Sequence, residues 1–224
     1  MNYTFQWGEA FEYLPELLAG SLVTLHLSFI GFWCGATIGL FGAMGKTYGN
    51  KTVKSLINAY VIFFTNTPGL VTAFFIFYGL PEYGILLTPY QTVLLNIALN
   101  AGAYMTEIMR GGFISVRNEE LEAATAMGFS LLKRLRYVIV PHIAKVLYAP
   151  LSNYYIWIIL GTSMAAIFGV EELTGRAFIA AAESFRSIEI YLITALIYVA
   201  ITIVASTVLA LIGRMVFRVK MKVF

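Results

Sequence analysis

The sequence predicts an all-α integral membrane protein with about five transmembrane helices, and three observations predict it. First, 59% of the 224 residues are hydrophobic and only 12% charged, with a mean hydropathy of +0.79, far too apolar for a soluble domain of this size. Second, the apolar residues gather into five stretches, each near the roughly 20 residues needed to cross a hydrocarbon core about 30 Å thick. Third, the basic residues alternate between successive connections, as expected for a chain threaded back and forth through a membrane.

The first stretch, 17–44, carries Gly31, Gly35 and Gly39 at every fourth position, a smooth stripe on which another helix packs closely. The second, 56–80, is interrupted at Thr65-Asn66-Thr67-Pro68-Gly69. Pro68 removes a backbone donor and disfavours helix at the residue before it, so a kink or broken helix is expected there. The remaining stretches are 89–108, 145–168 and 188–212.

Lys46, Lys51 and Lys54 follow the first stretch. Arg110, Arg117, Lys133, Arg134, Arg136 and Lys145 follow the third, and Arg214, Arg218, Lys220 and Lys222 the fifth. Of the 15 basic residues only Arg176 and Arg186 fall in the other connections, where Glu9, Glu12 and Glu16 also lie. The positive-inside rule then puts the N-terminus outside, the C-terminus inside and the number of crossings at an odd value.

No repeat or linker divides the chain, so residues 1–224 read as a single transmembrane domain. Met1 to Glu16 lacks the basic start and short apolar core of a cleavable signal peptide, which leaves targeting to the first span. The net charge of +3 is too small to suggest nucleic-acid binding. Cys34 is the only cysteine and cannot form an intramolecular disulfide. His26 and His142 stand alone, without metal-ligand spacing. The chain carries no paired catalytic carboxylates, no Ser/His or Cys/His constellation and no His-rich metal motif, which argues against an intramembrane enzyme.

The connection between the third and fourth stretches is too long for a simple turn and reads as helical itself. Asn118 is a suitable N-cap, acidic residues occupy the first turn, and Gly128 is a good terminator. Leu121, Ala124 and Met127 recur at helical spacing, a small apolar knob for a groove on a cytoplasmic partner. The alternative is an interfacial helix lying on lipid.

Polar residues inside hydrocarbon are costly and face protein or water. Asn96, Asn100 and Glu107 fall near one face of the third stretch, with Tyr104 continuing the ladder. The two asparagines line a passage or hydrogen-bond between helices; Glu107 is expected to pair with Arg110 near the boundary. Asn66 and Thr67 at the break are candidate solute contacts or parts of a packing kink. Asn153, Thr162 and Ser163 in the fourth stretch are further candidates. The 171–187 connection mixes Glu171, Glu172, Arg176, Glu183 and Arg186 with small apolar residues, the pattern of a short helix that gates or docks a partner, or of an ordinary lipid-surface loop.

The run Glu122-Ala123-Ala124, with Gly128 and Pro141 beyond it, resembles the signature loop of ABC importer permeases. Other pieces resemble the polar-amino-acid branch of that family: Gly20-Ser21-Leu22-Val23-Thr24-Leu25, Thr67-Pro68, Tyr78-Gly79-Leu80-Pro81, the run from Ala103 to Gly112, Thr162-Ser163 and Glu172-Leu173-Thr174. The resemblance runs from about residue 20 to the C-terminus. It departs at Asn66, where an Arg-Gly pair often precedes Thr-Pro, at Gly161, where a polar pair often precedes Thr-Ser, and at Asn118-Glu119-Glu120, which replaces a common Gly-Gln.

What the resemblance implies is a permease that works beside a second permease copy, two ATPase subunits docked on the Glu-Ala-Ala loops (residues 117–141 here), and an extracytoplasmic substrate-binding protein, in the bacterial cytoplasmic (inner) membrane. Glu122, Ala123, Ala124, Met127 and Gly128 would carry the coupling to the ATPase. ATP and Mg would be bound by that partner, with no cofactor held by this chain. The implied solute is a polar amino acid or related small zwitterion. The competing function is an ATP-independent carrier or channel, which would leave the long cytoplasmic helix unexplained.

Overall fold

A computed structural model describes residues 4–217. Arg218, Lys220 and Lys222 of the last basic cluster therefore lie outside the described residues. All the regular structure of the described residues is helical, with no strand among them. In chain order the helices are α1 (Trp7–Glu12), α2 (Leu14–Tyr48), α3 (Lys51–Asn66), α4 (Gly69–Phe74), α5 (Pro89–Ile114), α6 (Asn118–Ala126), α7 (Leu131–Arg134), α8 (Val140–Gly161), α9 (Leu173–Ser184) and α10 (Ser187–Ile212).

Leu14–Tyr48, Leu131–Phe168 and Ser187–Val216 are long and apolar enough to cross a membrane, and α3 with the segment after it counts as a fourth if a broken pair is one span. In α10 only 6% of the most apolar window is buried inside the protein; a helix apolar on all sides and open to its surroundings is solvated by lipid. The 26 residues of α5 are not among these spans, because Asn96, Asn100, Glu107 and Arg110 dilute its hydropathy.

Two compact units divide the described chain. Among the described residues, the first takes in 4–33, Pro68–Ala98 and Tyr155–Ala205. Its core joins Ala10, Leu17, Leu173, Ala177, Ala180, Ala181, Ile190 and Ile193. The alanines of α9 keep its buried face flat and let it seat against α1, α2 and α10. In this unit a Cβ built on Gly31 would stand 2.5 Å from Ile97 Cγ2.

Among the described residues, the second unit takes in Cys34–Thr67, Leu99–Tyr154 and 206–217. Here the expected small-residue stripe is packed against α5: a Cβ on Gly35 would stand 2.5 Å from Ala101 Cβ, and one on Gly39 the same distance from Met105 Cβ. Backbone this close excludes any side chain at those positions.

Several boundaries shift from the sequence reading. The first span lengthens from 17–44 to Leu14–Tyr48, and the third from 89–108 to Pro89–Ile114. The second begins at Lys51 because Asn50 caps it, its side chain accepting from the Val53 N–H at 2.9 Å. The largest shift is in the fourth span, expected to begin at Lys145. Its helical run begins at Leu131 and continues through Pro141 and Pro150. A π-helical turn at Leu135–Ile139 lies directly before Val140, widening the backbone where proline would otherwise crowd the preceding turn.

Candidate functional site

The segment that follows α5 is built for exposure. Helix α6 begins at Asn118, so Arg117 rather than Asn118 occupies the N-cap position, extended at ψ 139° and making no side-chain cap bond. Glu119 and Glu120 lie in the first turn, where the helix dipole favours negative charge. The helix ends as the sequence predicts. Gly128 has φ +75°, the Phe129 N–H donates to the Ala124 carbonyl at 3.0 Å and the Gly128 N–H to Thr125 at 2.9 Å. This pair of bonds is the Schellman arrangement, which needs a left-handed residue where Gly128 stands.

The expected apolar knob is corrected by burial. Ala124 is 1% exposed and faces into the protein, and Leu121 is half-buried, while Met127 is 67% exposed. Glu122, Ala123, Thr125 and Ala126 are exposed with Met127, so the outward face is mixed acidic and small. Two side-chain contacts reach α6, and a third holds the connection before it. Arg134 Nη1 donates to Thr125 Oγ1 at 3.0 Å; His142 stands 3.2 Å from Ser115 Oγ through Nε2 and 3.7 Å from Glu120 Oε2 through Nδ1.

The candidate solute contacts fall into two groups. In the first unit Asn96 is fully buried: Thr72 Oγ1 donates to its Oδ1 at 2.6 Å, and its Nδ2 donates to the Gly69 carbonyl at 3.0 Å. These bonds clamp the first turn of α4 to α5, so Asn96 serves the helix break. Thr162 and Ser163 donate to the carbonyls of Ile159 and Leu160 at 2.8 and 2.9 Å. Ser163 also lines a cleft of about 540 Å³ with Thr174, Phe178 and Tyr191.

In the second unit α3 stops at Asn66, and Thr67 is extended (φ −112°, ψ 130°), as expected before Pro68. Asn66 is exposed and donates to the Ile62 carbonyl at 2.8 Å. Thr67 and Asn100 are half-buried and Asn153 exposed. Tyr104 donates to the Thr65 carbonyl at 3.3 Å, and its ring lies 5.7 Å from that of Tyr154. Glu107 pairs with Arg110, as its spacing predicts, and with Lys46.

Residues 35–218 match the family described as the binding-protein-dependent transport system inner membrane component. The chain belongs to this family. Among curated proteins it is similar to the glutamine transport system permease protein GlnP of Escherichia coli (strain K12), 32% identical over 207 residues that cover 92% of this chain and 94% of that one. It is also 32% identical over 205 residues to the probable amino-acid ABC transporter permease protein YckA of Bacillus subtilis (strain 168), covering 92% of this chain and 91% of the other. Among solved structures, an amino acid ABC transporter crystallised with histidines superposes with a TM-score of 0.88 at 30% identity, covering 96% of this chain and all of that one. The inward-facing MetNI methionine ABC transporter, at 16% identity and TM-score 0.70 over 92% of this chain and 97% of that one, shares the fold.

The most elaborate polar site of this inner membrane component was not read as such from sequence. Glu172 is fully buried. It caps α9 by accepting from the Gly175 N–H at 2.9 Å and accepts from Tyr198 at 2.9 Å and Thr24 at 3.1 Å. Thr24 Oγ1 in turn accepts from the Leu173 N–H at 3.2 Å. Burial pushes the Glu172 carboxyl above the usual carboxylate range, against the opposing pull of these donors. Glu189 is likewise buried and accepts from the Gln6 N–H at 2.9 Å, while Arg186 Nε donates to Glu9 at 3.0 Å. The Glu172-Leu173-Thr174 run and the helical pattern after it are visible in the sequence; the partners Thr24, 148 residues away, and Tyr198, 26 away, are not.

Proposed function

We propose that this chain is the permease subunit of an ATP-driven importer that moves a polar amino acid or related small zwitterion across the bacterial inner membrane by alternating access. The observation that carries the reading is the full-length likeness to an amino acid ABC transporter, together with the family match over residues 35–218. Five crossings, with the N-terminus outside, follow from the placement of basic residues; they require α5 and the broken α3–α4 segment each to cross once.

In this reading α6 is the grip of a separate ATPase subunit, which binds ATP and Mg and performs the hydrolysis. Glu122, Ala123, Met127 and Gly128 form its exposed face and terminal turn, and buried Ala124 seats the helix. Closure of the two ATPases would draw the α6 helices of this chain and of a second permease copy together. The contacts from Thr125, Glu120 and Ser115 to Arg134 and His142 would pass that motion into the spanning helices. Solute would arrive from an extracytoplasmic binding protein and pass near Asn66, Thr67, Asn100, Asn153, Thr162 and Ser163, with Asn96 bracing the break.

The test is uptake into vesicles holding the chain with and without its ATPase subunit and binding protein. The reading expects accumulation of labelled amino acid only with both partners and ATP on the ATPase side. Uptake by the chain alone, without ATP, would favour the carrier reading instead.

A further inference from the structure

The helical run from Leu131 to Phe168 has 38 residues, which at about 1.5 Å per residue is roughly 57 Å of helix. A hydrocarbon core of about 30 Å takes only some 20 of them. The most polar part of the run is its start, with Lys133, Arg134 and Arg136 between Leu131 and Val140. This end must project into the headgroup region.

Its side chains are arranged for that setting. Arg134, Val138 and Ile139 are half-buried, and Arg134 is engaged with Thr125. Everything else between Leu131 and Val140 is exposed: Leu131 at 62%, Leu132 at 75% and Val140 at 56%, with Lys133 and Arg136 among them, and Lys145 beyond is exposed too. Arg136 lies over the Tyr137 ring, 5.7 Å from its centroid. Exposed leucines interleaved with basic residues, with no acidic residue between Leu131 and Val140, are the pattern of a segment lying on an anionic membrane surface. The neighbouring α6 has the opposite character, with Glu119, Glu120 and Glu122 and no basic residue, a composition that anionic lipid repels. The connection is thus split by charge into an acidic half and a basic half suited to different partners.

We propose that Leu131–Val140 is a lipid-contact site: Lys133 and Arg136 engage the phosphates of anionic phospholipids, and Leu131, Leu132 and Val140 enter the acyl boundary. The site would hold the base of α7 at a fixed depth while α6 beside it remains available to protein. The ligand is lipid, so the outcome does not depend on which solute the chain carries.

The test uses the chain with Cys34→Ala and Leu132→Cys, labelled with an environment-sensitive fluorophore and placed in phosphatidylcholine vesicles with or without phosphatidylglycerol. Blue-shifted emission, quenching by lipids brominated near the headgroup, and a gain of both with phosphatidylglycerol are expected whether or not the ATPase subunit is bound. Lys133→Gln and Arg136→Gln should each weaken the phosphatidylglycerol response about fivefold, and the charge-keeping pair Lys133→Arg and Arg136→Lys should preserve it. Quenching by aqueous iodide alone, equal responses in both lipids, or shielding that appears only when the ATPase subunit binds would each overturn the proposal.

Discussion

The side-chain amide of Asn96 donates to the Gly69 carbonyl at 3.0 Å, so a fully buried group on α5 fixes the first turn of the helix that restarts after Pro68. The same residue takes the Thr72 hydroxyl on its oxygen. Its role is therefore to hold the geometry of the break, and its loss leaves only the Thr72 hydroxyl, which also donates to the Gly69 carbonyl at 2.9 Å, to brace that turn. Asn96→Leu should cost about 1–3 kcal/mol, read as a lowered melting temperature in detergent. Thr72→Val, which removes the hydroxyl but keeps the Asn96 amide on the Gly69 carbonyl, should cost less.

Glu172 joins α2, α9 and α10 through three donors. Its carboxyl is raised by burial, and a carboxyl raised in the folded state stabilises the fold while protonated and loses that contribution as pH rises through the folded value. The wild-type protein should therefore lose some thermal stability between acid and neutral pH, and Glu172→Gln should flatten that dependence. Glu172→Ala should be the harsher change, by about 2–4 kcal/mol, because it abandons the Gly175 cap and two hydroxyls together.

Lys46 and Arg110 share Glu107, which links α2 to α5 in the second unit. Lys46 is 20% exposed and Glu107 34%, so solvent screens the pair and its net worth should be about 1 kcal/mol. A double-mutant cycle with Lys46→Met and Glu107→Gln checks this in thermal unfolding. The two changes together should cost less than the sum of the single changes.

Gly128 holds a left-handed conformation with open space where a Cβ would stand, so a substitution there acts through backbone strain alone. Gly128→Ala should cost about 1 kcal/mol and distort the end of α6, with Gly128→Asn milder. In the assembled transporter the expected reading is less solute moved per ATP hydrolysed, with the amount of membrane-inserted protein unchanged.

The parts of this protein that were legible in its sequence are those set by local chemistry. Gly128 announced a helix end because little else tolerates its backbone angles, and Thr67-Pro68 announced a break because proline restricts its neighbour. The apolar runs fixed where most helices lie. The helix carrying the fourth stretch starts earlier than Pro141 suggests, because a π-helical turn before that proline lets the helix pass. Asn118 looked like a better cap than Arg117, yet the helix begins one residue too early for it to serve. Ala124 fell at outward spacing by pattern and is buried in fact, since which face of a short helix turns inward is decided by what it packs against. Glu172 and Lys46 could not be assigned for a related reason: their partners lie 148 and 61 residues away, and no periodicity carries that information.

The central claim is that the exposed face of α6 is held by the ATPase subunit. Its most direct measurement places a photoactivatable crosslinker at Met127, 67% exposed, in a Cys34→Ala, Met127→Cys chain assembled with its ATPase subunit in vesicles. The account predicts a crosslinked product between the two proteins whose yield changes when ATP is added. Crosslinks that reach only lipid, in an assembly that still accumulates solute on ATP, would contradict it.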